Sequence, residues 1–320
     1  MPSKQNEVEK TVMINRALIR TKIVQIVYAY CQNENKNLDN GEKELFFSLS
    51  KAYDLYNFLL LLMVEVTRYA RQRIEAEITT ATITQQTGRF NKRFVNNRFI
   101  SQLEVNEQLN EFVSNKNKSW SGENIFIKKL FGQIEDSDIY KAYMTSNVNS
   151  YEDDREVWRR LYKTFIERND DLDQILEDQS LYWNDDKDVV DTFVIKTIKK
   201  FDENNKGAQP LLPEFKDEED MEFARRLFRR TIMNQDFYRH LISEGTRNWT
   251  LDRIALMDVI IMQVALAEIL SFPSIPVNVS LNEYVEIAKH YSTPKSGAFI
   301  NGTLDGIVNQ LKKEGKLEKN

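Results

Sequence analysis

Two histidines, His240 and His290, and one cysteine, Cys31, are the whole stock of imidazole and thiol in 320 residues. The histidines stand fifty positions apart, which suits ordinary helix-surface or partly buried side chains better than a shared metal or a general base. Cys31 has apolar helical neighbours and no base near it in sequence, so it reads as a small core or boundary residue. Being single, it forms no internal disulfide. The paired acids Asp153-Asp154, Asp170-Asp171 and Asp185-Asp186 have the placing of helix N-terminal charge and solvated loops. No Gly-x-x-x-x-Gly-Lys-Ser/Thr and no Gly-x-Gly-x-x-Gly occurs, so nothing is built to cradle a nucleotide phosphate. No catalytic residue, metal ligand or cofactor is expected, and the chain reads as a non-enzyme.

Residues suited to binding are easier to find. Arg16 and Arg20 lie four apart and share one face of a helix, along which a phosphate backbone could run, with Lys22 less well aligned. The same pair would equally suit a solvated helix face. Phe299 follows Thr293-Pro294-Lys295-Ser296-Gly297-Ala298, a small-residue loop beside a lysine. An aromatic there could stack on an unpaired base or open the core face of the last helix. Asn301-Gly302 would signal a hairpin between strands, but helical pattern flanks it on both sides.

The elements that must position these groups are helical. Ten Gly and six Pro are about 5% of the chain, against roughly 12% in average proteins, which argues against a turn-dense β-sandwich, a collagen or a low-complexity linker. Apolar spacing of three and four predicts helices near 15–31, 43–78, 93–114, 124–133, 136–144, 153–169, 172–183, 187–201, 218–243, 250–270, 281–291 and 296–313. Thr79 to Gly88 is expected to turn, and Ser280 with Glu283 has the form of a capping box. The run from Ile254 to Leu270, interrupted at Asp258, Gln263 and Glu268, is expected at the centre of a core. Asp202 to Phe215, with one glycine and two prolines, reads as a linker or exposed loop.

The net charge of -5 conceals an uneven distribution. Glu135 to Asp191 holds 17 acidic and 7 basic residues, whereas the first 33 residues hold five basic and two acidic ones. Phosphate binding follows local basic patches, so the overall acidity excludes little. The N-terminus has no apolar signal segment, and the longest wholly apolar run, Phe58 to Val64, is far below the ~20 residues of a membrane helix. A cytoplasmic protein without membrane partners is expected.

Three ordered blocks are more specific: Asn248-Trp249-Thr250-Leu251-Asp252-Arg253-Ile254-Ala255 continuing to Ala265-Leu266-Ala267-Glu268-Ile269-Leu270; Ile275-Pro276-Val277-Asn278-Val279-Ser280-Leu281-Asn282-Glu283-Tyr284; and Phe299-Ile300-Asn301-Gly302-Thr303-Leu304-Asp305. Together they resemble the NusB family of transcription antitermination factors, as does, more loosely, the helix from Arg16 to Tyr30. The resemblance implies an all-α, NusB-like helical bundle made by the first helix and the C-terminal helices. It implies binding of boxA-type single-stranded RNA in rRNA leaders together with the ribosomal protein NusE, and work with other Nus factors on RNA polymerase to suppress termination and support rRNA synthesis.

By position, the resemblance makes Arg16, Arg20, Lys22, Lys295, Ser296, Phe299 and Asn301 the RNA-binding set, and Tyr28 and Asp258 the partner-facing set. Ala17, Leu18 and Ala298 stand where the family commonly has basic residues. That thinning leaves a second reading open: a non-catalytic interaction scaffold or ribosome-assembly factor with weakened RNA binding. An rRNA cytosine methyltransferase, in which a NusB-like domain also occurs, would need a glycine-rich cofactor loop. Residues 1–45 are expected to form an arm and basic helix of the core, 46–214 a helical, partly acidic insert, and 215–320 the C-terminal helical domain.

Overall fold

The structure, a computed structural model, describes residues 12–33, 36–85, 90–246 and 251–319. The basic residues Lys4 and Lys10, the block Asn248-Trp249-Thr250 and the end of the Thr79–Gly88 piece lie outside them. The described residues are all-α, with no strand among them. In chain order the helices are α1 (Arg16–Gln32), α2 (Leu38–Ile83), α3 (Arg98–Glu104), α4 (Glu107–Lys116), α5 (Asn124–Asp136), α6 (Asp138–Thr145), α7 (Tyr151–Phe165), α8 (Asp170–Gln179), α9 (Lys187–Lys200), α10 (Glu218–Met233), α11 (Gln235–Gly245), α12 (Leu256–Ser271), α13 (Val277–Tyr291) and α14 (Ser296–Lys313). Two compact units result. The first contains the described residues up to Ser50 and from Phe215 onward, and the second is Lys51–Glu214.

In the first unit α12 is the axis, packed by α1, α10, α11, α13 and α14. Its residues from Asp258 to Ile269 are all buried, because the helix is apolar on every side and no stripe is left for water. The three polar residues that interrupt the run are each satisfied by a different neighbour, as burial demands. Gln263 donates to the carbonyl of Gln235 at 3.3 Å. Asp258 accepts from the hydroxyls of Ser292 (2.5 Å) and Ser296 (2.9 Å). Glu268, wholly buried, accepts from Arg20 Nε at 2.8 Å and Arg20 Nη2 at 3.0 Å, from Ser280 Oγ at 2.6 Å and from Tyr284 Oη at 2.9 Å.

That last cluster overturns the expected capping box. α13 starts at Val277, just after Pro276, so Ser280 lies inside the helix and spends its hydroxyl on Glu268. Glu283 takes an Arg20 nitrogen at 3.3 Å instead of capping. A buried carboxylate attracts donors more strongly than a helix end does.

The second unit is built on the later part of α2, where Leu55 and the run from Phe58 to Val64 are buried. α2 is the one helix among the described residues long and apolar enough to cross a membrane, and 72% of its most apolar window is buried within the protein. Two tryptophans hold it by their indole N–H groups: Trp120 donates to the Phe58 carbonyl at 3.1 Å and Trp183 to that of Lys51 at 2.8 Å. The Phe58 ring stacks on Trp120 with centroids 4.1 Å apart. α7 and α9 pack together around a buried triad. There Tyr162 Oη donates to Asp191 Oδ1 at 2.5 Å and Lys187 Nζ to Asp191 Oδ2 at 2.9 Å.

Several boundaries differ from the sequence expectation for local reasons. α2 runs on to Ile83 because Thr79, Thr80 and Thr82 turn their hydroxyls back onto carbonyls four residues earlier, at 2.8–2.9 Å, which satisfies the threonines without ending the helix. The single helix expected over 93–114 is two, since Asn97 and Asn106 accept from the amides of Ile100 and Leu109 as N-caps. A break at Asn234 likewise divides 218–243 into α10 and α11. The stretch after Asp202 is no free linker. Gln102 donates to the carbonyls of Asp202 and Lys206 at 2.9 Å each, Asn106 donates to that of Gln209 at 2.7 Å, and Leu211 and Leu212 are buried.

Two stability predictions follow from these buried charges. Arg20→Met or Glu268→Leu alone strands a buried partner and is expected to lower the denaturant stability of the first unit by about 3–5 kcal/mol, while the double variant recovers much of that loss. In the second unit, burial raises the Asp191 carboxyl from its ordinary 3.8 to about 6, with Lys187 and Tyr162 opposing. A raised acid pKa adds stability below pH 3.8 that is lost as pH climbs through about 6. Asp191→Asn should therefore flatten the pH 4–6 slope of urea midpoints followed through Trp120, Trp158 and Trp183.

Candidate nucleic-acid interface

Asn15 starts α1 by accepting from the Leu18 amide at 2.9 Å, which sets Arg16 and Arg20 on consecutive turns. Both guanidiniums lie over the Phe223 ring of α10, at 5.0 and 5.5 Å from its centroid. Phe223 in turn meets Phe272 edge-on at 5.0 Å. Neither arginine is an open phosphate hook. Arg16 donates through Nε to Asp220 at 3.0 Å and through Nη2 to Glu219 at 2.6 Å. Partial burial works against its charge, and the two carboxylates more than offset that and raise its pKa. It keeps 34% of its side chain exposed, against 5% for Arg20.

Arg20 belongs to the core. Its burial also opposes the charge, and the forked bond to Glu268 overrides it and raises its pKa. The same carboxylate, after burial itself, drives the Tyr284 hydroxyl far above its ordinary value. Lys22 is buried as well. The four-residue spacing does set Arg16 and Arg20 over one ring, but spacing cannot distinguish a face turned to solvent from one turned to a buried acid 248 residues away.

The remaining expected residues lie around the start of α14. Lys295 and Asn301 are exposed and Phe299 is half-buried. Ser296 is buried, with its hydroxyl committed to Asp258 and within 3.0 Å of that of Ser292. Asp258, read as partner-facing, therefore points inward and ties α12 to the α13–α14 turn. Tyr28 is half-buried on α1 and accepts from Gln32 at 3.3 Å. The structure thus brings Asp258 and Ser296 together, yet it keeps Arg16 apart from the α14 start. Gln25 donates to Tyr291 near the end of α13 at 3.3 Å, and Arg16 lies nine residues, or about 14 Å, back along α1.

The sequence reading missed Glu219, Asp220 and Glu268 as partners of the arginines. The acid run Asp217-Glu218-Glu219-Asp220 was a legible helix N-terminal signal, but its pairing with Arg16 is purely tertiary. No group of three or more His, Cys, Asp or Glu side chains suited to a metal ion exists among the described residues.

The sequence model of the NusB family matches residues 192–309, from within α9 to within α14, and leaves α1 outside. The chain is 36% identical over 132 residues to the transcription antitermination protein NusB of Salinibacter ruber, covering 39% of this chain and 82% of that protein. It is 40% identical over 118 residues to the NusB protein of Chloroherpeton thalassium, covering 36% of this chain and 56% of that protein. With the NusB protein of Natranaerobius thermophilus it shares 38% over 110 residues, 33% of this chain and 79% of the relative. No solved structure matches. Relatives of this identity, matched over most of their own length, together with the family model over the helices around α12, make the chain a member of the NusB family.

Proposed function

We propose that this chain is a non-catalytic transcription antitermination factor that binds boxA-type single-stranded RNA of rRNA leaders together with NusE. It then works in the cytoplasm with RNA polymerase and other Nus factors. The observation that carries the reading is the family membership, with relatives whose names state antitermination. The group at the start of α14 supports the RNA contact: exposed Lys295 for phosphate, the half-buried Phe299 ring for stacking on an unpaired base, and exposed Asn301 for a base edge. The N-terminus of α14 adds the positive end of a helix dipole there. Arg16 reaches phosphate by exchanging Glu219, its more exposed partner, while Arg20, Lys22 and Ser296 support the face from within. Tyr28 stands nearest to the surface of the two partner-facing positions, with Asp258 holding the turn behind it.

A second reading draws on the carboxylates bound to Arg16 and Arg20. Guanidiniums already neutralised attract RNA less, which favours an interaction scaffold or ribosome-assembly factor. Fluorescence anisotropy with boxA and scrambled RNA, with and without purified NusE, separates the two. The antitermination reading expects boxA preference that NusE strengthens, and equal weak binding to both RNAs would sink it. Lys295→Gln with Phe299→Ala should weaken boxA binding by about 1–3 kcal/mol, roughly five- to 150-fold, with the melting temperature watched for the half-buried ring.

A further inference from the structure

The second unit carries a charge arrangement that its sequence average hides. Arg160 and Lys163 on α7 and Lys196, Lys199 and Lys200 on α9 are all exposed. None of the five has a carboxylate within ion-pair distance among the described residues, whereas the half-buried arginines of the same α7, Arg155 and Arg159, do. Two α7 acids beside them are occupied, Glu152 by Arg155 and Glu156 by Arg159, while Asp188 in the first turn of α9 is exposed. α7 and α9 run antiparallel, since Arg155 donates to the carbonyls of Lys199 and Phe201 while Tyr162 meets Asp191. Arg159, Arg160 and Lys199 all act on Glu156 and lower its pKa, the bond from Arg159 first, so cations from both helices converge on one strip.

From this we infer that the α7–α9 face is a second phosphate-binding surface, which takes the backbone of single-stranded RNA without reading its sequence. The inference rests on the proposed RNA-binding role and extends it to the second unit, which the family match reaches only over 192–214, the stretch with Lys196, Lys199 and Lys200. From the level of Lys163 to that of Lys199 and Lys200 is about nine residues, or about 14 Å at the helical rise. That length takes about four phosphates of a stacked strand at 3.4 Å each. No exposed aromatic lies among the five cations to stack on a base, so the contact positions RNA and does not specify it. An acidic protein partner would need an apolar anchor at the centre of its footprint, and the one large apolar side chain exposed on α7 or α9, Val189, lies at the start of α9, at the edge of the strip. The α7 acids Glu152 and Glu156 repel RNA little here, because each is paired with its own arginine. Lys196, Lys199 and Lys200 come from beyond the acidic segment 135–191.

The test compares the full chain with the variant Arg160→Gln, Lys163→Gln, Lys196→Gln, Lys199→Gln, which leaves Arg155 and Arg159 in their pairs. Labelled scrambled and boxA RNAs of about 30 nucleotides are titrated by anisotropy between about 50 and 200 mM salt. The variant is expected to melt like the parent and to keep its preference for boxA. Its log affinity should depend less steeply on log salt, by about 2–3 in slope for four lost charges. The corresponding Arg160→Lys, Lys163→Arg, Lys196→Arg, Lys199→Arg variant keeps the parental slope. An unchanged slope in a folded Gln variant overturns the inference. So does a variant that loses only its affinity for a poly-glutamate competitor, which assigns the face to an acidic protein. Absence of boxA preference in both proteins, with the slope difference intact, would remove the antitermination reading and leave this surface standing.

Discussion

A carboxylate with no access to water governs the first unit. Glu268 is enclosed by apolar neighbours on α12, and a charge so placed costs several kcal/mol unless it is fully hydrogen-bonded. Four donors complete it: two from Arg20, one from Ser280 and one from Tyr284. α1, α12 and α13 must therefore meet in one register, and a shift of any of them by a turn would strand either the acid or the guanidinium. The requirement joins the beginning of the chain to its end. It is met although a whole second unit, Lys51–Glu214, intervenes, because closing a long loop costs only slowly more as the loop grows and a segment that folds by itself adds little to that cost.

The same constraint redistributes the basic residues. Arg20 becomes a core residue and Arg16 a half-open one shared between Asp220, Glu219 and the Phe223 ring, while Lys295 and Asn301 at the start of α14 stay exposed. Asp258 does for the α13–α14 turn what Glu268 does for α1 and α13. By accepting from Ser292 and Ser296 it fixes where α14 starts, and so where Lys295 and Phe299 stand. Buried acids on the central helix thereby set the geometry of surface groups that never touch them.

Much of the fold was legible in the sequence. The helical class, the central position of Ile254 to Leu270 and the bounds of α14 follow from apolar periodicity and from the scarcity of Gly and Pro. What escaped was decided by competition between local and distant partners. Ser280 and Glu283 look like a cap until Glu268 and Arg20 claim them. Thr79 to Ile83 look like a turn until the hydroxyls bond backward along the helix. Asp202 to Leu212 look like a linker until Gln102, Asn106 and buried leucines fasten them down.

By itself the sequence determined that this is a helical chain with the blocks of the NusB family, because residue type, spacing and order are one-dimensional properties. Only the tertiary structure decided which charges are available. Arg16 and Arg20 are four apart in any helix, yet whether they face phosphate or carboxylate depends on acids more than two hundred residues away. The segment 135–191 is acidic in any count, yet on α7 Glu152 and Glu156 are paired with arginines while Arg160 and Lys163 beside them have no carboxylate within ion-pair distance among the described residues. Charge acts through space and falls with distance, so its effect is set by neighbours that the order of residues does not specify.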